Sequence, residues 1–163
     1  MEKETQNPLI SGGESIVGVT MHPPLVYLFI FLLGVLADYY YPLTVPAKNY
    51  SEYFGLTVIF FATALIIWAQ YSMREFVSRE RTPGGTREFA VGAYRYSRHP
   101  TYAGLFLLLV GFALLASSVV MILGALVSFF VVNSVFVKKE EALLLKKYGD
   151  EYERYKSRVR PWL

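Results

Sequence analysis

The stretch Gly92-Ala93-Tyr94-Arg95-Tyr96-Ser97-Arg98-His99-Pro100-Thr101-Tyr102 crowds tyrosines and cations against the start of a long uncharged run, and Glu140-Glu141 follow that run at its other end. Pro100 keeps His99 extended and suits a first helical turn, so a helix is expected to begin at Pro100 with His99 at its cap. The amides of Thr101, Tyr102 and Ala103 would be free at that helix start, where with the Arg98 guanidinium they make a place for a carboxylate. An antiparallel return of the uncharged run brings Glu140 and Glu141 back to the level of Arg98 and His99, which adds a place for a cation. A ligand that carries both a carboxylate and positive charge, flanked by tyrosine faces, suits such a pocket. S-adenosyl-L-methionine has that charge pattern. The same residues allow a plainer reading. Arginine, histidine and tyrosine at a membrane boundary also serve as headgroup anchors. Glu140 and Glu141 beside Lys138 and Lys139 also read as solvated charges next to a span. The tyrosines at 148, 152 and 155 also read as packing or interfacial anchors. No residue stands out as a general base, so no catalytic role is assigned.

The elements that must position these residues follow from hydropathy. Of the 163 residues 54% are hydrophobic and the mean hydropathy is +0.35, too apolar for a soluble domain of this length. The expected fold is all-α and integral to a membrane, with about four transmembrane helices, the last two forming a C-terminal helical hairpin, and an amphipathic C-terminal helix. Span one runs from Pro23 to Ala37 and is closed by the aromatic belt Asp38-Tyr39-Tyr40-Tyr41-Pro42, with Asp38 expected to face water or the connection. A short loop carrying Lys48 and Glu52 leads to span two, Phe54 to Tyr71. From Thr101 to Val137 no residue is charged, about twice the roughly 20 residues that cross a bilayer core. Ser117-Ser118 offers a turn near its middle, which yields spans three and four. Gly104, Gly111 and Gly124 would let the two hairpin helices approach closely. Beyond Lys138, Leu144, Tyr148, Tyr152, Tyr155 and Val159 recur at helical spacing. Gly149 breaks that helix, and Asp150 and Glu153 are spaced as cap and third residue of a restarted one. Thr82 to Thr86 reads as loop.

Composition also excludes functions. There is no cysteine, which removes disulfides and thiolate chemistry. His22 and His99 are the only histidines and lie far apart in sequence, so no metal is expected. His22 reads as a cap or interface residue. The lysines and arginines gather in two blocks, Arg74 to Arg98 and Lys138 to Arg160, each interleaved with acids and each next to an apolar run. That is a membrane pattern rather than a nucleic-acid one. Four spans put both blocks on one side, which the positive-inside rule makes the cytoplasm. A multi-pass protein of the cell (inner) membrane is expected, with amino terminus, site and carboxyl terminus cytoplasmic. Its divisions are a flexible tail (1–22), spans one and two (23–73) and a cofactor-binding region (74–163). A non-enzymatic four-span protein, such as a small exporter or assembly factor, is the alternative. Exporters usually carry a charge within a span, and spans two to four contain none. Oligomeric state is left open.

In order and spacing, Gly92-x-Tyr94, Arg98-His99-Pro100-x-Tyr102-x-Gly104, a hairpin-length apolar run, Glu140-Glu141-x-x-Leu144, Tyr148-Gly149 and Tyr152-x-x-Tyr155 resemble the isoprenylcysteine carboxyl methyltransferase and phospholipid methyltransferase superfamily. The resemblance extends roughly from residue 82 to residue 160. It implies S-adenosyl-L-methionine as cofactor, with Tyr94, His99, Pro100, Thr101, Tyr102 and Glu140 lining its pocket and Arg98 and Glu141 in support. It also implies a lipid or lipophilic small-molecule acceptor met at the membrane: a prenylcysteine-like carboxylate, a phospholipid amine or a thiol. Two positions depart from the eukaryotic isoprenylcysteine enzymes. Phe136 stands where they carry a substrate-contacting arginine, and Thr86 where they carry a histidine.

Overall fold

Inside a bilayer the backbone must satisfy its own hydrogen bonds, which a helix does internally, and the apolar runs of this chain do form helices. The structure is a computed structural model and describes residues 23–45, 48–81 and 88–162. It is all-α: α1 (Pro23–Tyr40), α2 (Lys48–Arg81), a 3-10 turn (Gly92–Arg95), α3 (Pro100–Leu115), α4 (Val119–Val131), a π-helical segment (Val132–Val137), α5 (Lys138–Tyr148) and α6 (Asp150–Arg158). The chain is an integral membrane protein. α1, α2 and the continuous rod from α4 into α5 are long and apolar enough to cross a membrane. α3 is apolar but has 16 residues, a rise of about 24 Å. Leu25, Phe29, Leu32 and Leu36 of α1 and Phe60 and Phe61 of α2 are exposed, as a lipid-facing surface requires.

Local chemistry explains the boundaries. Pro100 occupies the first turn of α3 with His99 as its N-cap. The hairpin turns at Ser117 and Ser118, whose own hydroxyl caps α4 by accepting from the Met121 amide at 3.1 Å. The same turn ties down the far end of the bundle. Val45 N donates to Ser117 O at 2.8 Å, Val119 N to Leu43 O at 2.9 Å, and the hydroxyls of Ser51 and Ser117 stand 2.7 Å apart.

Several expectations need correction. α2 begins at Lys48, not Phe54, so Glu52 is helical, and it continues to Arg81, well past the apolar run. A helix leaving a membrane has no reason to stop while its polar residues support it, and Glu75 and Arg79 pair one turn apart at 2.5 Å. The boundary expected between residues 73 and 74 therefore falls within α2. All three glycines face another helix than expected. A Cβ at Gly104 would come 2.5 Å from Ile66 Cγ1 and one at Gly111 2.7 Å from Ile59 Cγ1, so both glycines of α3 admit α2 rather than α4. Gly124 faces Ile30 of α1. Asp38 does not simply face water, because its carboxylate accepts from the Ser118 hydroxyl and so ties α1 to the hairpin turn. At the α5–α6 break Gly149, at φ +54°, is itself the N-cap, its carbonyl accepting from the amides of Tyr152 and Glu153, with no side-chain cap from Asp150. The expected tail 1–22 with His22, and the expected loop Thr82 to Thr86, lie outside the described residues.

Candidate active site at one end of the bundle

The chain leaving α2 must turn back tightly to start α3, and the turn is built on glycine. Gly92 has φ +52°, and a Cβ there would fall on the Ser72 hydroxyl. That hydroxyl accepts from Ala93 N at 3.0 Å and donates to Trp68 O at 2.8 Å, which docks the 3-10 turn onto α2. Gly92→Ala is therefore expected to lower the thermal midpoint of the detergent-solubilised protein, with about 1–2 kcal/mol from the left-handed backbone alone and more from the collision. Gly149→Ala also puts a side chain at a positive φ, +54° with ψ −131°, but meets no atom within 4 Å. Equal losses in the two variants would refute the steric part.

Docking this turn delivers Arg98 and His99 to α5. Arg98 Nη2 lies 2.9 Å from Glu141 Oε1, with side chains only 7% and 11% exposed. Lys156 Nζ reaches the other oxygen of Glu141 at 2.9 Å. His99 Nε2 is 3.3 Å from Glu141 Oε1 and its Nδ1 3.6 Å from Glu140 Oε2. Tyr102 donates to Glu140 Oε2 at 2.7 Å, and its ring stacks on His99 at 5.5 Å and 4°. The apolar run ends at Val137, so the acids lie past the hydrocarbon. The His99 hydrogen bond first, then Lys156 and Arg98, hold the Glu141 carboxyl far below 4.5, at about 2, against its burial. Burial raises the Tyr94 hydroxyl, a hydrogen bond with Thr101 lowers it in part, and Glu140 raises it further.

Of the amides expected to cradle a carboxylate at the start of α3, that of Ala103 is taken by the chain itself, and the two amides before the helix are taken as well. Arg98 N donates to Arg160 O at 2.8 Å, His99 N to Pro161 O at 3.2 Å and Ala103 N to His99 O at 3.1 Å. Arg98 Nη1 donates to Lys156 O at 3.2 Å. The segment after α6 thus straps the site. Ser97 donates to Pro161 O at 3.0 Å, and the Trp162 indole donates to Asn133 Oδ1 at 3.1 Å while packing 4.9 Å from Phe129 and 6.3 Å from His99. Sequence reasoning missed Ser97, Asn133 and Trp162. One signal was available, since Asn133 is the only carboxamide between Thr101 and Val137 and a polar residue in a span is costly unless partnered.

Beside this network is a cavity of about 190 Å³ between the end of α2, the loop before the 3-10 turn, and α5–α6. Tyr94, Arg98 and Glu140 line it, with Met73, Phe76, Leu144 and Tyr148 among the rest. Phe89, also missed, is its hub, stacked 5.3 Å from Phe76 and 5.5 Å from Tyr155 and edge-on to Tyr148 and Tyr152. Thr101, His99, Tyr102 and Glu141 stand behind the lining residues and join them through the bonds above. Pro100 is buried in the first turn. Tyr155 donates to Tyr94 O at 2.7 Å, so α6 holds the turn that carries Tyr94. Burial raises the hydroxyls of Tyr152 and Tyr155. Such a chamber can hold an organic cation against ring faces and a carboxylate, out of water. Among the described residues no group of three or more His, Asp or Glu side chains converges as a metal site would.

The phospholipid methyltransferase family matches residues 50–151, from the start of α2 into α6. An uncharacterized protein of Haemophilus influenzae is 39% identical over 62 residues, 38% of this chain and 98% of that protein. The protein-S-isoprenylcysteine O-methyltransferase of Schizosaccharomyces pombe is 35% identical over 68 residues, 42% of this chain but 29% of that protein. No solved structure matches the chain.

Proposed function

The chain belongs to the phospholipid methyltransferase family, and we propose that it is a membrane-embedded methyltransferase whose methyl donor is S-adenosyl-L-methionine and whose acceptor is lipophilic, delivered from the bilayer. The observation that carries this reading is the convergence of Tyr94, Arg98 and Glu140 on one aromatic cavity. The donor set suits the cofactor. A sulfonium and an ammonium call for a carboxylate and ring faces, and Glu140, 37% exposed, offers its carboxylate beside Phe89, Tyr94 and Tyr148. Bound there, the cofactor would supply an electrophilic methyl group.

The chain's own residues do the rest. Glu140, Tyr94 and Arg98 hold the ligand, with residues 74–163 as the binding region. Tyr102 and His99 fix the Glu140 carboxylate, and the aromatic hub around Phe89 excludes water. An acceptor carboxylate or thiolate needs no base. An amine would give its proton to Glu140 or water, because Glu141, held at about 2 and engaged by Arg98, Lys156 and His99, is a poor base. The basic residues of α2's end, α5 and α6 gather at this end of the bundle, which supports a cytoplasmic site in the cell membrane.

S-adenosylhomocysteine is expected to stabilise the detergent-solubilised protein, by about 2.7 kcal/mol at a hundred times its Kd. Glu140→Ala is expected to remove most of that shift while the protein still inserts in the membrane. A reduced nicotinamide cofactor is expected to give none. Folded wild-type protein indifferent to S-adenosylhomocysteine would sink the donor assignment and favour the non-enzymatic alternative.

A further inference from the structure

Two side-chain atoms among the described residues are buried without a hydrogen-bond partner, Arg98 Nε and Tyr152 OH. Both side chains line the same cavity. A donor buried and unmatched costs about 1–3 kcal/mol, and more when charged, so a fold that keeps two at one cavity wall carries that penalty for a reason. The neighbouring donors are engaged elsewhere. Arg98 gives Nη2 to Glu141 and Nη1 to Lys156 O, which leaves Nε. Tyr155 gives its hydroxyl to Tyr94 O and Tyr102 gives its own to Glu140. Tyr152 is 1% exposed, its ring set among those of Phe89 at 5.6 Å and Tyr155 at 5.8 Å, and its hydroxyl meets no hydrogen-bond partner.

We infer that Arg98 Nε and Tyr152 OH together form the subsite for a ligand carboxylate, namely that of the amino-acid end of S-adenosyl-L-methionine, with Glu140 facing the cationic end. The inference rests on the donor assignment above. It moves the carboxylate from the start of α3, where the Ala103 amide is already given to His99 O, to the cavity wall. A carboxylate oxygen accepts strongly from a guanidinium N–H and from a phenol. The buried Tyr152 hydroxyl, raised by desolvation, keeps its proton at any working pH. The tyrosines recurring through α6 therefore divide: Tyr155 holds the fold and Tyr152 holds ligand.

The test is calorimetric titration of the full chain in detergent with S-adenosylhomocysteine and with its analogue lacking the carboxylate. Wild type is expected to bind the analogue about 10- to 100-fold more weakly. Tyr152→Phe keeps the ring and removes only the hydroxyl. It is expected to weaken S-adenosylhomocysteine about 10-fold and leave the analogue unchanged. Its ligand-free thermal midpoint is expected to equal or exceed that of wild type, because an unmatched polar group is gone. A hydroxyl with a merely structural role would lower that midpoint. Unchanged affinity for S-adenosylhomocysteine in Tyr152→Phe, or equal weakening of both ligands, would overturn the subsite and leave the donor assignment standing. Absence of S-adenosylhomocysteine binding by folded wild type would overturn both.

Discussion

Glu141→Ala is expected to destabilise the protein by about 3–5 kcal/mol, the cost of breaking a buried ion pair by removing one partner, and to abolish ligand binding with it. Arg98, 7% exposed, would lose the anion 2.9 Å away. Lys156, which ties α6 to α5 through the second oxygen, would lose its anchor, and the imidazole of His99 would keep only Glu140. One carboxylate thus joins the start of α3, α5 and α6. The effect has a pH signature. A carboxyl held below its ordinary 4.5, at about 2, in the folded state adds stability that is complete above 4.5 and disappears as pH falls toward 2. The gap in unfolding midpoint between wild type and Glu141→Gln should therefore be widest near neutrality and close over that acid window. A gap that persists at low pH would show that the side chain acts through shape rather than charge.

Gly55→Ala is expected to be nearly as damaging, although it adds a single methyl group far from the site. Its Cβ would lie 2.5 Å from Leu115 N and 2.8 Å from Gly111 O. Those are backbone atoms, so no side chain can swing aside and α2 must part from α3. Overpacking of this kind costs roughly 1–3 kcal/mol and sometimes more, and it would loosen the helix pair that carries both the Gly92 turn and Pro100. Gly124→Ala is the control, since its Cβ would sit 3.6 Å from Ile30 Cγ2, ordinary contact distance. Folded yield after detergent extraction should fall sharply for Gly55→Ala and stay near wild type for Gly124→Ala. Matching yields would mean that the helices can separate without penalty.

Features with a strong local cause were legible in the sequence. Pro100 starts a helix because proline fits its first turn, Ser117-Ser118 turns the hairpin because it is the polar break in the middle of the uncharged run, and Gly149 breaks a helix by adopting a positive φ. What depended on tertiary context was not. Lys48 to Tyr53 and Arg74 to Arg81 are polar enough for a loop or a protruding helix, and the docked turn at Gly92 is part of what separates the two. The glycines of α3 announce a close neighbour but not which helix it is. Glu140 and Glu141 are adjacent and chemically alike, and only the rotation of α5 makes Glu141 the buried keystone and Glu140 the residue facing the cavity. Phe89 and Trp162 carry no motif, and their importance comes from the surfaces that meet on them.

That rotation has its source in the π-helical segment Val132–Val137. A π turn holds one residue more than an α turn, and each residue advances an α-helix by about 100°. The segment therefore works as a phase shifter between the membrane anchor and the chemistry. Losing one residue there would leave α4 seated against α1 and α3 while swinging both acids about a quarter turn from Arg98 and His99. The azimuth of Glu140 and Glu141 is written one to two turns away, in the apolar stretch that precedes them.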